Sequence, residues 1–557
     1  MSVIEKLNFA DKDERIRRNM FPVKVIKTWG NVTNPDALLN KKDLQITTVE
    51  KEVTTLENKA GEPEAAILLD FGTEINGTLR ILNFSTVGEA RYADVDIKFG
   101  ESATEAVSEL LGEKNATNDH TPRDFSAVVP SFSDQEVGET GFRFAYIRLK
   151  SPNTAINLKS VTAVFVYRDL EYKGSFSCND ELLNEIYDTC AYTCHLSMQR
   201  YLWDGIKRDR LVWVGDMYPE MLTIRTVFGS NKVMDDAIRI ARQITPLPEW
   251  MNGMNSYSLW WLWMVWDWYY YNGDKNFFDE NKDYALKLIR QVADYVDYDG
   301  SDTFDYDFLD WPTAYTDAGK SGVKGLLVLA LIASAKIAEE AGDSALSKEC
   351  ADKVSAMQER RLNNFGKKQT AAFLALSGLA DLKESADFAL SNGAEGMSTF
   401  MSYFILKVAA SQSMNGALQM LRDYYGGMLS VGATTFWEDF DIKWLCNARP
   451  IDVIAEKGEY DIHADNGSYC YVGLRHSFCH GWASAPTAFL AECVLGIKIA
   501  DKACKKIIIS ANLGNLEWAK GTYPTPYGVL SVSHKKNADG TVSTEYTAPE
   551  GVEVQIL

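Results

Sequence analysis

The sequence predicts a multidomain α and β protein, an (α/α)6 helical barrel flanked by an N-terminal β-sandwich and a small C-terminal β-sandwich, and three observations carry that expectation. The 557 residues exceed what a single core supports. Short alternating segments separated by Gly, Asn and Asp run from about residue 45 to 170. Helical periodicity then holds until about residue 497, after which strands return. The expected boundaries are 1–173, 174–497 and 498–557.

The first domain is read from Ala66 to Phe71, Thr78 to Phe84, Ala93 to Phe99, Phe142 to Lys150 and Val161 to Tyr167, each a few residues long and alternating in polarity. The character changes at Gly174 to Asn179. There Ser177 and Asn179 offer N-caps, and Leu182, Leu183, Ile186, Tyr187 and Cys190 follow at helical spacing. Roughly a dozen helical segments come next, among them Met217 to Val227, Lys232 to Ile244, Gly322 to Ala341, Ser344 to Asn363, Thr399 to Ala410 and Gly416 to Tyr425. Twelve antiparallel helices suit a ring of six hairpins, and an irregular bundle gives the same count. The last domain is read from Val529 to Ser533 and Thr541 to Thr547, joined through a turn containing Asp539 and Gly540. No repeat of fixed period suggests a solenoid.

Lys and Arg total 57 against 77 Asp and Glu, a formal charge of −20 that repels phosphate backbones and anionic lipid. Nucleic acid and membrane partners are not expected, whereas a neutral ligand such as a sugar is compatible. The start MSVIEKLNFADKDERIRRNM lacks the apolar core of a secretory signal, and nine scattered Cys residues form no disulfide framework. A cytoplasmic, reducing location is the expectation. Gly325 to Ala335 and Leu259 to Tyr271, the most apolar stretches, read as buried helices too short for a membrane span. Cys190, Cys194 and His195, like His476, Cys479 and His480, lie close together without zinc-finger spacing, and no metal or cofactor is expected.

Twelve of the 14 Trp residues lie between Trp203 and Trp482, five of them (Trp260, Trp261, Trp263, Trp266, Trp268) in one helix. Aromatic faces cover the C–H side of a pyranose while carboxylates and amides hold its hydroxyls, so Trp interleaved with acids suits a sugar site, and it equally suits bulky core packing. The segment WDGIKRDRLVWVGD sets Asp204, Asp209 and Asp216 among Lys207, Arg208 and Arg210. Neighbouring carboxylates resist joint ionisation, which keeps one of them protonated for acid catalysis. The bland reading of the same residues is a salt-bridge network. In GATTFWEDFD, Glu438 stands beside Trp437, a carboxylate against an aromatic wall that can activate water. In CHGWASAPTAFL, His480 precedes a tightly packing helix and is placed to bond a hydroxyl or a carboxylate.

These three segments, in this order and at these intervals, resemble the α-L-rhamnosidases of glycoside hydrolase family 78, whose helical domain is a six-hairpin (α/α)6 barrel. The likeness covers roughly Lys173 to Leu530 and includes Gly174 to Asn179, the Leu309 to Pro312 turn with Trp311, and Pro524 to Gly528. It implies that Asp209, at a position where the family usually has Glu, is the general acid and that Glu438 is the general base. It further implies that Asp204 holds a sugar hydroxyl, Trp213 stacks on the ring, Asp216 and His480 contact the sugar, and Trp437 stands beside the base in the substrate site. Trp311 and one of Trp263, Trp266 and Trp268, taken here as Trp266, would receive the sugar's methyl group. This chain departs from the common pattern by one residue fewer between Asp204 and Trp213. Either the shortened loop compensates for the shorter acid side chain, or another carboxylate such as Glu220 serves as the acid.

The expected reaction is therefore inverting hydrolysis of a terminal α-L-rhamnoside on an oligosaccharide or plant glycoside. Asp209 would protonate the glycosidic oxygen while Glu438 takes a proton from water, and inverting pairs stand about 6.5 to 9.5 Å apart to admit that water. The rival expectations are another inverting glycosidase on the same barrel and a carbohydrate-binding protein without hydrolysis.

Overall fold

The computed structural model describes residue 7 and residues 12–89, 91–304 and 308–557. Among them, nine strands of the N-terminal region share one antiparallel hydrogen-bonded network. Its order is Asn31–Thr33, Thr54–Glu57, Ala155–Arg168, Ala66–Val87, Ser133–Leu149, Tyr92–Gly100 and Asp124–Pro130. Arg15–Met20 is added against Ala155–Arg168, and Lys24–Trp29 against Ala66–Val87. Alternating residues such as Leu69, Leu79, Ile81, Val95, Ile97 and Ile147 form its apolar core, where the Phe99 and Phe142 rings meet at 4.5 Å. Two expected strands, Ala66 to Phe71 and Thr78 to Phe84, are one continuous strand. Its pairing with Ser133–Leu149 shifts register between Asp70 and Ile75 and again between Gly77 and Leu79, so it bends through irregularities instead of stopping at a turn.

Twelve α-helices lie between Glu181 and Phe489 among the described residues. Most start where a short polar side chain accepts the first free N–H groups: Asp180, Asn231, Asp274, Thr316, Asp343, Asp381 and Ser413 all do so. Asp180 is the cap of the first helix, where Ser177 and Asn179 were expected; Ser177 lies in a strand, and the Asn179 side chain accepts from the backbone of Glu517 and Trp518. The stretch expected as Gly322 to Ala341 begins earlier, as Asp317–Glu340. At 24 residues it is long and apolar enough to cross a membrane by length and composition, which corrects the expectation that the apolar stretches fall short. Its most apolar window is 72% buried inside the protein, as a core helix would be.

The expected boundaries at 174 and 498 both fall where chain segments are shared. Ser175–Cys178 pairs with Trp518–Thr525 and so belongs to the four-stranded C-terminal sheet, completed by Gly528–Lys536 and Val542–Thr547. Ile497–Ile499, which straddles the second boundary, pairs with Lys506–Ile509, itself parallel to Glu553–Ile556. Ile507, Ile509, Leu530 and Val532 join the same apolar cluster as the helices, so these sheets share the helical core.

The N-terminal sheet region meets the helical region through specific polar contacts. Arg143, paired with Asp70 at 2.8 Å, also donates to the Gly432 carbonyl at 3.1 Å, and the Gly141 amide donates to the Ile206 carbonyl at 2.8 Å. The buried Lys207 ammonium reaches into the N-terminal domain, 3.2 Å from Glu101 and 2.8 Å from Glu105. It also donates to the Leu474 and His476 carbonyls at 2.7 Å each, so one cation ties three chain segments together.

Candidate active site

The segment from Asp204 to Asp216 folds back on itself. The Leu211 amide donates to the Asp204 carboxylate at 2.9 Å, and the Asp204 amide donates to the Leu211 carbonyl at 3.0 Å. This closure projects Lys207, Arg208, Asp209 and Arg210 as a tight loop in which Asp209 and Arg210 both take left-handed backbone angles, φ 52° and 56°. At the far end Asp216 stands at the N-terminus of the helix Met217–Val227, where the free amides and the helix dipole favour a carboxylate.

Two further segments close on this loop. The Glu438 amide bonds to the Ser477 carbonyl, and the Glu438 carbonyl accepts from Thr399 Oγ1 at 2.8 Å and Trp482 Nε1 at 2.9 Å, which fixes the backbone of the proposed base. The Gly481 amide bonds to the Asp204 carbonyl at 2.7 Å, bringing His480 against the acids. His480 Nε2 lies 2.9 Å from Asp216 Oδ1, and its Nδ1 lies 3.6 Å from Glu438 Oε1. Arg208 donates to Glu438 Oε2 at 2.6 Å and approaches Asp209 Oδ1 at 3.4 Å. Its two terminal nitrogens are ~2.3 Å apart in a planar guanidinium, so those contacts cap the separation of the two carboxylate oxygens at ~8 Å.

Burial dominates the electrostatics of the cluster. It pushes the Asp204 carboxyl well above its ordinary range, His480 pulling it back while Asp216 and Asp209 add to the push. Asp216 is raised by the same desolvation, opposed by its bond to His480. For His480 burial favours the neutral ring, yet the carboxylates of Glu438, Asp216 and Asp204 outweigh it and raise the imidazole above its usual value. Asp209 is less enclosed: Trp213 Nε1 donates to its Oδ2 at 3.1 Å, and His120 Nε2 lies 3.0 Å from its Oδ1.

These groups line one cavity of about 210 Å³. Asp204, Asp209, Asp216, Glu438, His480 and Arg208 form its polar part, and Trp213, Trp311, Tyr257, Phe308, Tyr315, Tyr471 and Trp482 its walls. Of the residues expected from sequence, seven meet here. Trp266 does not. It lies nine residues beyond Tyr257 on the helix Asn255–Asn272, ~13 Å along the axis at 1.5 Å per residue, and borders a separate depression with Asp267, Tyr270 and Lys336. Neither Trp263 nor Trp268 lines the cavity: Trp263 packs on Trp260 and Tyr218, and the buried Trp268 donates to Asp235. Trp437 is also misplaced by the sequence reading. It points away from its neighbour Glu438 and stacks on Phe478 at 4.0 Å, fully buried. Glu220 is sealed behind the cavity against Gly481 and is not on its surface.

Sequence reasoning passed over Arg208, Tyr257, Tyr471 and Trp482. Arg208 had been grouped with Lys207 and Arg210 as partners of the nearby aspartates. Instead Lys207 pairs with Glu101 and Glu105, Arg210 with Glu139, and Arg208 chiefly with Glu438 across the cavity. Trp482, two residues after His480, was the one signal in plain view. Neither cysteine cluster has metal-site geometry among the described residues: Cys190, Cys194 and Cys479 are buried thiols, and His195 is spent on Tyr172 and the Arg168 carbonyl. Glu101, Glu105 and His463 do bring ligand atoms within 4.8 Å of one another, and Lys207 supplies the positive charge there.

Residues 171–373 match the family model of the bacterial α-L-rhamnosidase six-hairpin glycosidase domain, and residues 496–557 that of the bacterial α-L-rhamnosidase C-terminal domain. The chain resembles the α-L-rhamnosidases of glycoside hydrolase family 78. Among solved structures of that kind, the family 78 rhamnosidase of Bacillus sp. GL1 superposes with a TM-score of 0.75 at 21% identity, over 94% of this chain and 55% of that one. A rhamnosidase from Klebsiella oxytoca with rhamnose bound gives 0.66 at 16% identity, over 86% of this chain and 96% of that one. The Streptomyces avermitilis α-L-rhamnosidase complexed with L-rhamnose gives 0.67 at 15%, over 88% and 48%. A curated α-L-rhamnosidase of Formosa agariphila is 30% identical over 78 residues, 14% of this chain and 8% of that protein. This chain thus spans about half the Bacillus rhamnosidase and a small part of the Formosa one. The two matched segments are similar to the helical and C-terminal domains of bacterial α-L-rhamnosidases.

Proposed function

We propose that this protein hydrolyses terminal α-L-rhamnosides by single displacement, in an (α/α)6 barrel braced by β-sandwiches at both ends of the chain. Asp209 protonates the glycosidic oxygen, and Glu438 takes a proton from the water that attacks C1 from the opposite face. The observation that carries this reading is that both carboxylates line one open cavity with aromatic walls, bridged by a single arginine that limits their separation to ~8 Å, compatible with the spacing of about 6.5 to 9.5 Å of inverting pairs. A cavity of about 210 Å³ suits one terminal ring, which accords with removal of an end sugar. Two structural relatives hold rhamnose, which supports that sugar as the occupant. His480 and Asp216, bonded to each other, offer a fixed pair to ring hydroxyls, and Trp311 and Tyr471 a lipophilic wall to the methyl group.

Aryl α-L-rhamnosides are the direct test, run beside the other common neutral glycosides. The wild type should release rhamnose first as the β-anomer, visible by proton NMR before mutarotation. Glu438→Gln and Asp209→Asn should each lose about a hundredfold or more in kcat. A protein that releases no sugar, or a Glu438→Gln variant as fast as wild type, sinks the proposal. The aspartate at 209, where the resemblance implies glutamate, supports a second reading, another inverting glycosidase on the same scaffold, and release of a different sugar from the panel would select it.

A further inference from the structure

We propose that His120, carried by the N-terminal β domain, is a positioning residue for Asp209 and shares with it the proton given to the glycosidic oxygen. The inference rests on the reading of Asp209 as the acid. Four observations support it. His120 Nε2 stands 3.0 Å from Asp209 Oδ1 while Trp213 Nε1 holds Oδ2 at 3.1 Å, so both oxygens of a short side chain are fixed from opposite directions. The His120 side chain is 36% exposed, so the ring touches the acid and bulk water at once. His120 takes a left-handed backbone angle, φ 68°, uncommon for a residue other than glycine, and its surroundings hold it there. Those surroundings are anchored on either side: Asp119 pairs with Arg475 of the helical region at 2.8 Å, and Thr121 Oγ1 bonds to the Glu139 carbonyl at 2.9 Å.

The chemistry needs no partner beyond water. One proton on the pair sits on Asp209 and donates to the imidazole, or sits on Nε2 and donates to the carboxylate. As the bond from C1 to the glycosidic oxygen breaks, that oxygen keeps the bonding electrons and takes the proton, leaving a carboxylate beside a neutral ring. Water forms the new bond to C1 and gives its proton to Glu438. The exposed edge of His120 then collects a proton from solvent and reloads the pair. The charges facing it are Arg208, 3.4 Å from the same Asp209 oxygen, and Asp119 with its partner Arg475. The N-terminal domain would thus complete the acid as well as brace the helical region.

Two measurements decide the matter. In proton NMR of the intact protein at one fixed pH, the wild type should show a downfield His120 Nε2–H resonance from its bond to Asp209 that Asp209→Asn weakens or loses; an unchanged resonance, or none in wild type, overturns the shared proton. In hydrolysis, His120→Ala should lower kcat about tenfold to a hundredfold on an aryl rhamnoside with a poor leaving group, yet by no more than about twofold on a dinitrophenyl rhamnoside, which leaves without an acid. His120→Gln, which can still donate a hydrogen bond to Asp209 but has no ionisable proton to give, should leave kcat on the poor leaving group as low as His120→Ala does, and full recovery by Gln would reduce His120 to a hydrogen-bond donor and overturn the shared proton. Equal losses on both substrates, or no loss on either, overturn the proposal. A wild type that cleaves neither sinks the hydrolytic reading and the catalytic half of this one, while the His120 resonance still judges the pair.

Discussion

The Arg208 guanidinium donates to Glu438 at 2.6 Å, and both side chains are about 95% shielded from solvent. Removing one member of such a buried pair leaves the other charge without compensation, which costs about 3 to 5 kcal/mol. Arg208→Met should therefore lower unfolding free energy in urea by that amount. Adding Glu438→Gln should recover much of the loss, because the stranded charge is gone. A single variant as stable as wild type would mean that solvent already reaches the pair.

His480 and Asp216 set the direction of pH dependence. Neighbouring carboxylates raise the folded His480 above its ordinary value, so its stabilising contribution is fully present below about pH 6.5 and is lost as pH rises through the raised value. Asp204 and Asp216, raised by burial, act with the same sign, their contributions being present below the unfolded carboxylate value of about 3.9 and lost as pH rises through the raised values. Stability should fall from pH 6.5 upward, by up to about 1.4 kcal/mol per pH unit for each proton involved. Asp216→Asn removes part of the force raising His480, so its slope in urea unfolding across pH 6.5 to 8 should be shallower. An unchanged slope would assign the dependence to other groups.

Much of this was legible in the sequence, for physical reasons that differ by element. Periodicity exposed the helices because each buries one side, and Met217–Val227 falls where its pattern put it. Sheet topology was less accessible: Ser175–Cys178 finds its partner more than 300 residues later, at Trp518–Thr525, and no local pattern announces such a pairing. Within the site, chain neighbours misled. Trp437 adjoins Glu438 in sequence but packs on Phe478 away from the cavity, and Trp266 shares a helix with Tyr257 but lies down its axis. Arg208 was visible but its partner was not, since Glu438 lies 230 residues away.

The two tryptophans make a paired test. Trp311 lines the cavity and meets Tyr471 edge-on at 5.7 Å, whereas Trp266 borders a different depression beneath the Lys336 ammonium. Trp311→Ala should raise KM for an aryl rhamnoside about tenfold or more, the effect of losing one aromatic wall. Trp266→Ala should leave both KM and kcat within about twofold. Equal effects from the two variants would contradict the placement of the sugar.

Glu220 and Gly481 separate the two candidate acids. Glu220 is fully buried behind the cavity, its carboxyl driven well above the ordinary range by burial and by the Asp216 and Asp204 charges, which favours its neutral form. Glutamine reproduces that neutral group in shape. Glu220→Gln should accordingly keep kcat within about threefold, and a loss as large as that of Asp209→Asn would move the acid's role to Glu220. The same contact explains the glycine beside it: a Cβ on residue 481 would stand 1.6 Å from Glu220 Oε1, too close for any side chain to survive unmoved. Gly481→Ala should cost about 1 to 3 kcal/mol of stability through overpacking. Glu220→Ala should relieve much of that cost in the double variant, because the two atoms in conflict belong to these residues alone. Additive losses in that cycle would mean instead that Gly481 is required for the bond from its amide to Asp204, and that the strain reaches the cavity through the backbone.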